Sequence, residues 1–109
     1  MSDKTVVTLN FVLLFILGFL LYTFPIQKYL SEKDVAEYMK KQGISKENIK
    51  SKEVKKDYKQ GGYYVNVELK DDPGVIYEYI WYIDGEILLI GYKNDSSLED
   101  EELKHPPIE

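Results

Sequence analysis

The side chains able to do chemistry are few. Among 109 residues there is one histidine, no cysteine and no arginine. Without cysteine the chain has no disulfide, no thiolate nucleophile, no Cys-ligated zinc and no thiol to carry a lipid. His105 is the one imidazole available as a general base near neutral pH. It lies beside Pro106 and Pro107 in an acidic C-terminal stretch, where a solvated tail residue is expected. Asp71 and Asp72 fall in the sequence KDDPG. The alternating carboxylates of a calcium loop are missing there, and turn chemistry accounts for both. Glu99, Asp100, Glu101 and Glu102 read as a solubilising tail rather than a cation site. The spacings of a P-loop, a dinucleotide-binding glycine loop, an H-E-x-x-H metal site and an S-x-x-K nucleophile do not occur. No catalytic, cofactor-binding or metal-binding residue is therefore assigned, and no cofactor is expected. A hydrolase using paired carboxylates is the alternative, and it needs two acids converging in a concave site.

Charge narrows the partners. All fourteen basic residues are lysine, and the net charge is −5. Lysine lacks the planar fork with which arginine reads phosphates and guanines. Nucleic acid is excluded as the main partner on these grounds. The lysine-rich stretch from Lys46 to Lys59 reads as a solvated strand face or as a contact for anionic headgroups. Residues 28–69 carry ten lysines against seven acids, and residues 70–109 three against eleven. This split suits a domain whose first half faces a negative leaflet while its tail points away.

The first element is an apolar run from Val6 to Phe24, nineteen residues without charge between Lys4 and Lys28. At ~1.5 Å per residue it spans ~28 Å, close to a hydrocarbon core of ~30 Å. Tyr22, Phe24 and Tyr29 stand near its end, where interfacial aromatics belong. Asn10 and Gly18 are tolerated interruptions, since a lone glycine makes no G-x-x-x-G contact. Downstream of Leu20 no A-x-A-like pair offers a cleavage site, so an uncleaved anchor is expected. Orientation is contested. Lys28, Lys33, Lys40 and Lys41 outnumber Lys4 and favour a cytoplasmic C-terminal side. An N-terminal signal-anchor favours the outside, and that placement is the expectation.

After the anchor the pattern changes. Pro25 is expected to end or kink the helix. Ser31 reads as an N-cap, with Asp34 in the capping-box position and Leu30 and Val35 as a hydrophobic staple. Val35, Tyr38, Met39 and Gln42 follow a helical spacing, and Gly43 is the stop, so a helix is expected over 32–42. Strands follow at Ile49–Tyr58, Tyr63–Leu69, Val75–Ile83 and Glu86–Tyr92. Gln60-Gly61-Gly62 and KDDPG serve as turns, and Asp84-Gly85 as a type I′ hairpin. Asn94 onward is acidic and proline-containing, and is expected to be unstructured. The sequence thus predicts an α+β protein. It comprises an anchor (1–27), one helix on a four-stranded antiparallel meander (28–93) and a flexible acidic tail (94–109).

Strand alternation splits the sheet into two faces. Tyr77, Tyr79 and Trp81 are assigned to the helix side, because Trp81 carries the most apolar area. Tyr64, Ile76, Ile80, Tyr82, Leu88, Ile90 and Tyr92 then share the other face with Asn66, Glu68, Glu78 and Glu86. One helix cannot cover both faces. The uncovered one is explained by a membrane surface, a protein partner, weak self-association or tyrosines with wet hydroxyls.

The stretch GGYYVNVELKDDPGVIYEYIWYIDGEILLIGYK resembles small single-span, membrane-anchored proteins of Gram-positive bacteria grouped as a domain of unknown function. The likeness covers most of the chain, although Lys4 stands alone where that family has an N-terminal lysine cluster. A helix followed by a meander is also similar to PepSY and cystatin-like modules, which implies work at the bacterial envelope. The combined expectation is a single-pass protein of the cell membrane. Its partners would be the lipid bilayer through Val6 to Phe24 and an unidentified protein bound by the C-terminal domain outside. A small immunity or toxin-associated protein acting through its span is the other non-enzymatic alternative.

Overall fold

The computed structural model describes residues 2–108. A helix begins at Asp3, capped by Ser2, whose Oγ accepts from the Thr5 N–H. It then runs continuously to Lys41, through α1 (Asp3–Leu21), a π turn (Tyr22–Ile26) and α2 (Gln27–Lys41). Pro25 therefore does not end the helix. A proline lacks the N–H of a regular ladder and crowds the carbonyl four residues back, and a widened turn relieves both. Ser31 is correspondingly no N-cap. It is fully buried inside α2, and its Oγ donates to the Lys28 carbonyl at 2.7 Å. Among the described residues this is one helix long and apolar enough to cross a membrane, and nothing in the protein buries its apolar part.

The end of α2 follows the expected pattern. Gly43 (φ +82°) donates to the Lys40 carbonyl, and Ile44 donates to the Met39 carbonyl. These are the paired bonds of a Schellman stop, and Ile44 and Met39 join the core as its apolar contact.

The sheet is a five-stranded antiparallel meander in the order β1-β2-β3-β4-β5: Ile49–Lys56, Tyr63–Leu69, Asp72–Trp81, Ile87–Lys93 and Ser96–Leu98. The fold is α+β. β1 is an edge strand, dense in lysine as edges that resist further pairing are. Three features differ from expectation. β3 starts three residues early, with a bulge opposite Glu68 and Leu69. The Asp84-Gly85 turn is not type I′, for Gly85 alone has positive φ (+89°). Gly85 N–H donates to the Tyr82 carbonyl and Tyr82 N–H to the Glu86 carbonyl. That makes a three-residue loop with a type I turn closed by a left-handed glycine. The third feature is the segment after Asn94, which is ordered.

Asn94 (φ +53°) and Asp95 (φ +65°) supply the positive pair of a two-residue turn between Lys93 and Ser96. β5 therefore extends the sheet. Beyond it a short turn at Asp100–Glu102 brings the chain back across the inner face. Leu103, 5% exposed, is part of the core and lies against Gly91, where any Cβ would meet it. The acidic composition hid a segment whose two leucines, Leu98 and Leu103, and backbone groups dock.

The inner face of the sheet is therefore covered twice. α2 presents Gln27, Ser31, Val35 and Met39, spaced by four, to β1, β2 and β3. The tail covers the rest. Val65, Val67, Leu69, Tyr77 and Tyr79 are fully buried beneath them.

Candidate functional site

Both covers lie on one face, so the opposite face of the sheet is the surface available to a partner. Its strand register aligns the residues in rows. Tyr64 pairs with Ile80 and Ile80 with Leu88; Glu68 pairs with Ile76 and Ile76 with Tyr92; Asn66 pairs with Glu78 and Glu78 with Ile90. All seven residues singled out from the sequence, Tyr64, Ile76, Ile80, Tyr82, Leu88, Ile90 and Tyr92, fall on this face. Ile76 and Leu88 are 36% and 46% exposed, while the other five are half-buried by their neighbours.

Polar groups punctuate the strip. Glu78 sits at its centre, where an outward position would ordinarily keep a charge hydrated. Instead the carboxyl is half-buried, and desolvation raises it above the ordinary glutamate value. Opposite it the Asn66 Oδ1 is enclosed without a protein donor. At one end Asp57, 2% exposed, folds the β1–β2 loop by accepting from the Lys59 and Gln60 N–H groups at 3.0 and 3.1 Å. Burial would raise its carboxyl, but those backbone donors, with Tyr64 and Lys56, hold it below the usual range. Burial and the bond to Asp57 in turn push the Tyr64 hydroxyl up. At the edge Lys50 pairs with Glu68 at 2.9 Å. The strip presents apolar side chains and a few placed acceptors.

On the inner face the aromatic residues use their polar ends to hold the covers. Trp81 Nε1 donates to Asp34 Oδ2 at 2.8 Å, and the Tyr79 hydroxyl donates to Gln42 Oε1 at 2.8 Å. The Tyr77 hydroxyl donates to Asp72 Oδ2 at 2.6 Å and accepts from the His105 N–H at 3.2 Å. Burial raises the Tyr77 and Tyr79 hydroxyls far enough to keep both protonated as donors. Asp34 is thus a tryptophan acceptor, not a capping-box carboxylate. His105 is no free tail imidazole either: its Nε2 lies 2.9 Å from Asp71 Oδ2. That bond first, and Asn48 second, hold the Asp71 carboxyl at about 2.

Two grooves border α2. A groove of about 490 Å³ runs between α2 and β1, with Val35, Met39 and Ile44 in its floor and Lys33, Lys40 and Lys46 on its rim; its one acid is Glu37. A smaller groove of about 230 Å³ brings Glu37 beside Asp34, whose carboxylate is engaged by Trp81. No group of three His, Cys, Asp or Glu side chains is placed to hold a metal among the described residues. In the lysine stretch, Lys50 and Lys55 pair with Glu68 and Glu53, and Lys56 donates to the Gly61 and Gly62 carbonyls.

Comparison with known proteins bears on this arrangement. Residues 4–79 match a family described as a protein of unknown function, DUF3139. The chain belongs to this family. The matched span of DUF3139 takes in the long helix, β1, β2 and most of β3. An uncharacterised 13.4 kDa protein from Bacillus thuringiensis is 28% identical over 94 residues, covering 72% of this chain and 82% of the relative. No solved structure matches.

Proposed function

We propose that this DUF3139 protein is a single-pass membrane protein of the Gram-positive envelope whose C-terminal domain is a non-enzymatic protein-binding module outside the cell. The observation that carries the reading is the one-sided cover of the sheet. α2 and the tail share one face, and the other keeps the Tyr64–Ile80–Leu88 and Ile76–Tyr92 rows with no cover of its own. A partner that fits offers apolar side chains to those rows and a hydrogen-bond donor to Glu78. The exposed helix up to Phe24, continuous with α2, supports anchoring, and the Bacillus relative supports a Gram-positive setting. The helix-then-meander order supports an envelope role by likeness to PepSY modules.

The test places a photo-crosslinking residue at Leu88 or Ile76 of the full chain in its host. Adducts at both positions, absent from a control at Lys70 and lost when Ile80→Asp is added, are the expected result. Equal labelling at Lys70 would remove the outer face as the site. Circular dichroism of Ile80→Asp must show the wild-type fold, since Ile80 is paired on the outer face and not in the core. Protease added to wall-less cells should trim the C-terminal segment if the domain is outside, and a protected segment would place it in the cytoplasm.

A further inference from the structure

The end of the sheet nearest the anchor is fastened to it. Tyr63, the first residue of β2, shares its hydroxyl proton between the carbonyl oxygens of Thr23 (2.8 Å) and Phe24 (3.0 Å) in the π turn. Those carbonyls mark the end of the apolar run. The sheet therefore starts where the hydrocarbon stops, and the loop entering β2 leaves from that border. This loop, residues 57–62, is built rigidly. Asp57 accepts from the Lys59 and Gln60 N–H groups, its N–H donates to the Gly62 carbonyl and its carbonyl accepts from the Gly61 N–H, while Lys56 Nζ donates to the Gly61 and Gly62 carbonyls. Yet this ordered loop holds Tyr58 out at 82% exposure.

A second tip stands beside it. Trp81 is the cross-strand partner of Tyr63, and β3 runs from Trp81 into the Tyr82–Glu86 turn. The turn carries Ile83, 52% exposed, and a Cβ on Gly61 would lie 3.1 Å from Ile83 Cδ1. An aromatic and a branched aliphatic side chain thus project together from two hydrogen-bonded turns at the border of the span. Turn tips ordinarily carry polar residues, and Tyr58 and Ile83 suit the headgroup layer instead. We propose that these two tips rest on the bilayer that holds α1, with Tyr58 and Ile83 set into its interface, so that the domain has a fixed tilt and its outer face a fixed direction. The two turns carry Lys59 as against three acids, Asp57, Asp84 and Glu86, so apolar contact rather than net charge holds the seat. The inference rests on the anchoring reading above.

The chain has no cysteine, so spin labels go where they are placed. Full-length Tyr58→Cys, Ile83→Cys, Lys70→Cys and Leu14→Cys are labelled singly and reconstituted in phosphatidylcholine vesicles with and without phosphatidylglycerol. Collision with oxygen and with an aqueous nickel chelate reports depth. Labels at 58 and 83 are expected within ~10 Å of headgroup level, the label at 70 in water and the label at 14 in hydrocarbon. Because the label is itself apolar, a label at Lys59→Cys supplies a second reading. It should be interfacial in the wild-type background and aqueous once Tyr58→Ser and Ile83→Ser are combined. Positions 58 and 83 as aqueous as 70, with 14 in hydrocarbon, would overturn the seat alone. An aqueous label at 14 would overturn the anchor and the seat together. Interfacial depth seen only with phosphatidylglycerol would replace the apolar contact with a lysine-driven one.

Discussion

The inner face of the sheet is covered by two segments of opposite character. α2 brings a stripe spaced by four, with Val35 and Met39 buried at 1% and 5% exposure, and ends in a glycine stop. The tail brings one buried leucine, Leu103, and a half-buried one, Leu98, and hangs otherwise on hydrogen bonds. Gln42 Nε2 donates to the His105 and Pro106 carbonyls, the Ile108 N–H donates to the Tyr38 hydroxyl, and His105 meets Asp71. Val35 and Met39 of that stripe remove apolar area from water, at roughly 25 cal/mol per Å². A strap held mainly by hydrogen bonds gains only about 1 kcal/mol per bond after water is repaid. The two covers therefore differ in how they should fail. Losing α2 packing unfolds the domain, whereas losing the strap opens it locally.

The largest expected effect sits under the helix. Trp81 is 3% exposed and bonded to Asp34, so Trp81→Ala removes both the packed indole and the tether. A loss of about 3–5 kcal/mol is expected, enough to unfold a domain of this size. The sole tryptophan is gone as a fluorescence probe, so circular dichroism is the readout, and its melts should show no cooperative transition. A melt unchanged within a few degrees would mean that α2 is not the main cover.

Under the strap the same kind of deletion should do less. Leu103→Ala is expected to cost at most about 2 kcal/mol, because the strap can release while α2 stays packed. Hydrogen exchange should rise in residues 96–108 and in β4 with the melting of α2 and β2 unchanged. Gly91→Ala provides the converse variant, since its Cβ would meet Leu103 and push the strap away. If either variant lowers protection uniformly through α2, the two covers form one cooperative unit and the contrast collapses.

The contrast also explains what was legible in the sequence. Alternation at Tyr63, Val65, Val67 and Leu69 and at Val75, Tyr77, Tyr79 and Trp81 assigned the faces, because a pleated strand has a strict period of two. Gly43 declared the stop of α2. Pro25 marked an irregularity but not its form, since a π turn absorbs it without ending the helix, and nothing local distinguishes that outcome from a helix end. The acidic strap misled more. Its docking depends on a single leucine meeting a single glycine twelve positions earlier, a contact that has no period. Asn94-Asp95 was the one local sign, as a pair tolerant of positive φ after a strand. His105 and Asp71 lie 34 residues apart, and no spacing joins them. The outer-face residues were placed by alternation alone, so their use by a partner is a question for crosslinking and not for pattern.

A smaller effect is expected at the β3–β4 turn, which belongs to neither cover. Gly85 has φ +89° with open space around it, so a side chain there is strained without being crowded. Gly85→Val should cost roughly 1 kcal/mol, and Gly85→Asn less, because asparagine tolerates the left-handed region. Equal melting of Gly85→Val and wild type would show that the turn relaxes to another type at no cost.

The smallest expected effect is a proton at the strap. His105 first, then Asn48, hold the Asp71 carboxyl at about 2, below its ordinary value of 3.8. A carboxylate lowered on folding lends stability above its unfolded pKa, and that contribution is lost as pH falls through the folded one. The window is therefore from about 4 down to about 2, with the strap loosening toward acid. Asp71 is partly exposed, so solvent screening limits the contribution to under ~1 kcal/mol. The readout is strap protection, followed by proteolysis or exchange within residues 99–108, not the global melt. Asp71→Asn removes the titrating group while keeping a similar shape. Its strap should be looser than wild type at pH 5 and should change little between pH 4 and 2. A wild-type strap equally protected at pH 5 and pH 2, or an Asn variant that loosens just as steeply, would show that the Asp71–His105 bond does not fasten the strap and would leave Leu103 and the backbone bonds as its whole attachment.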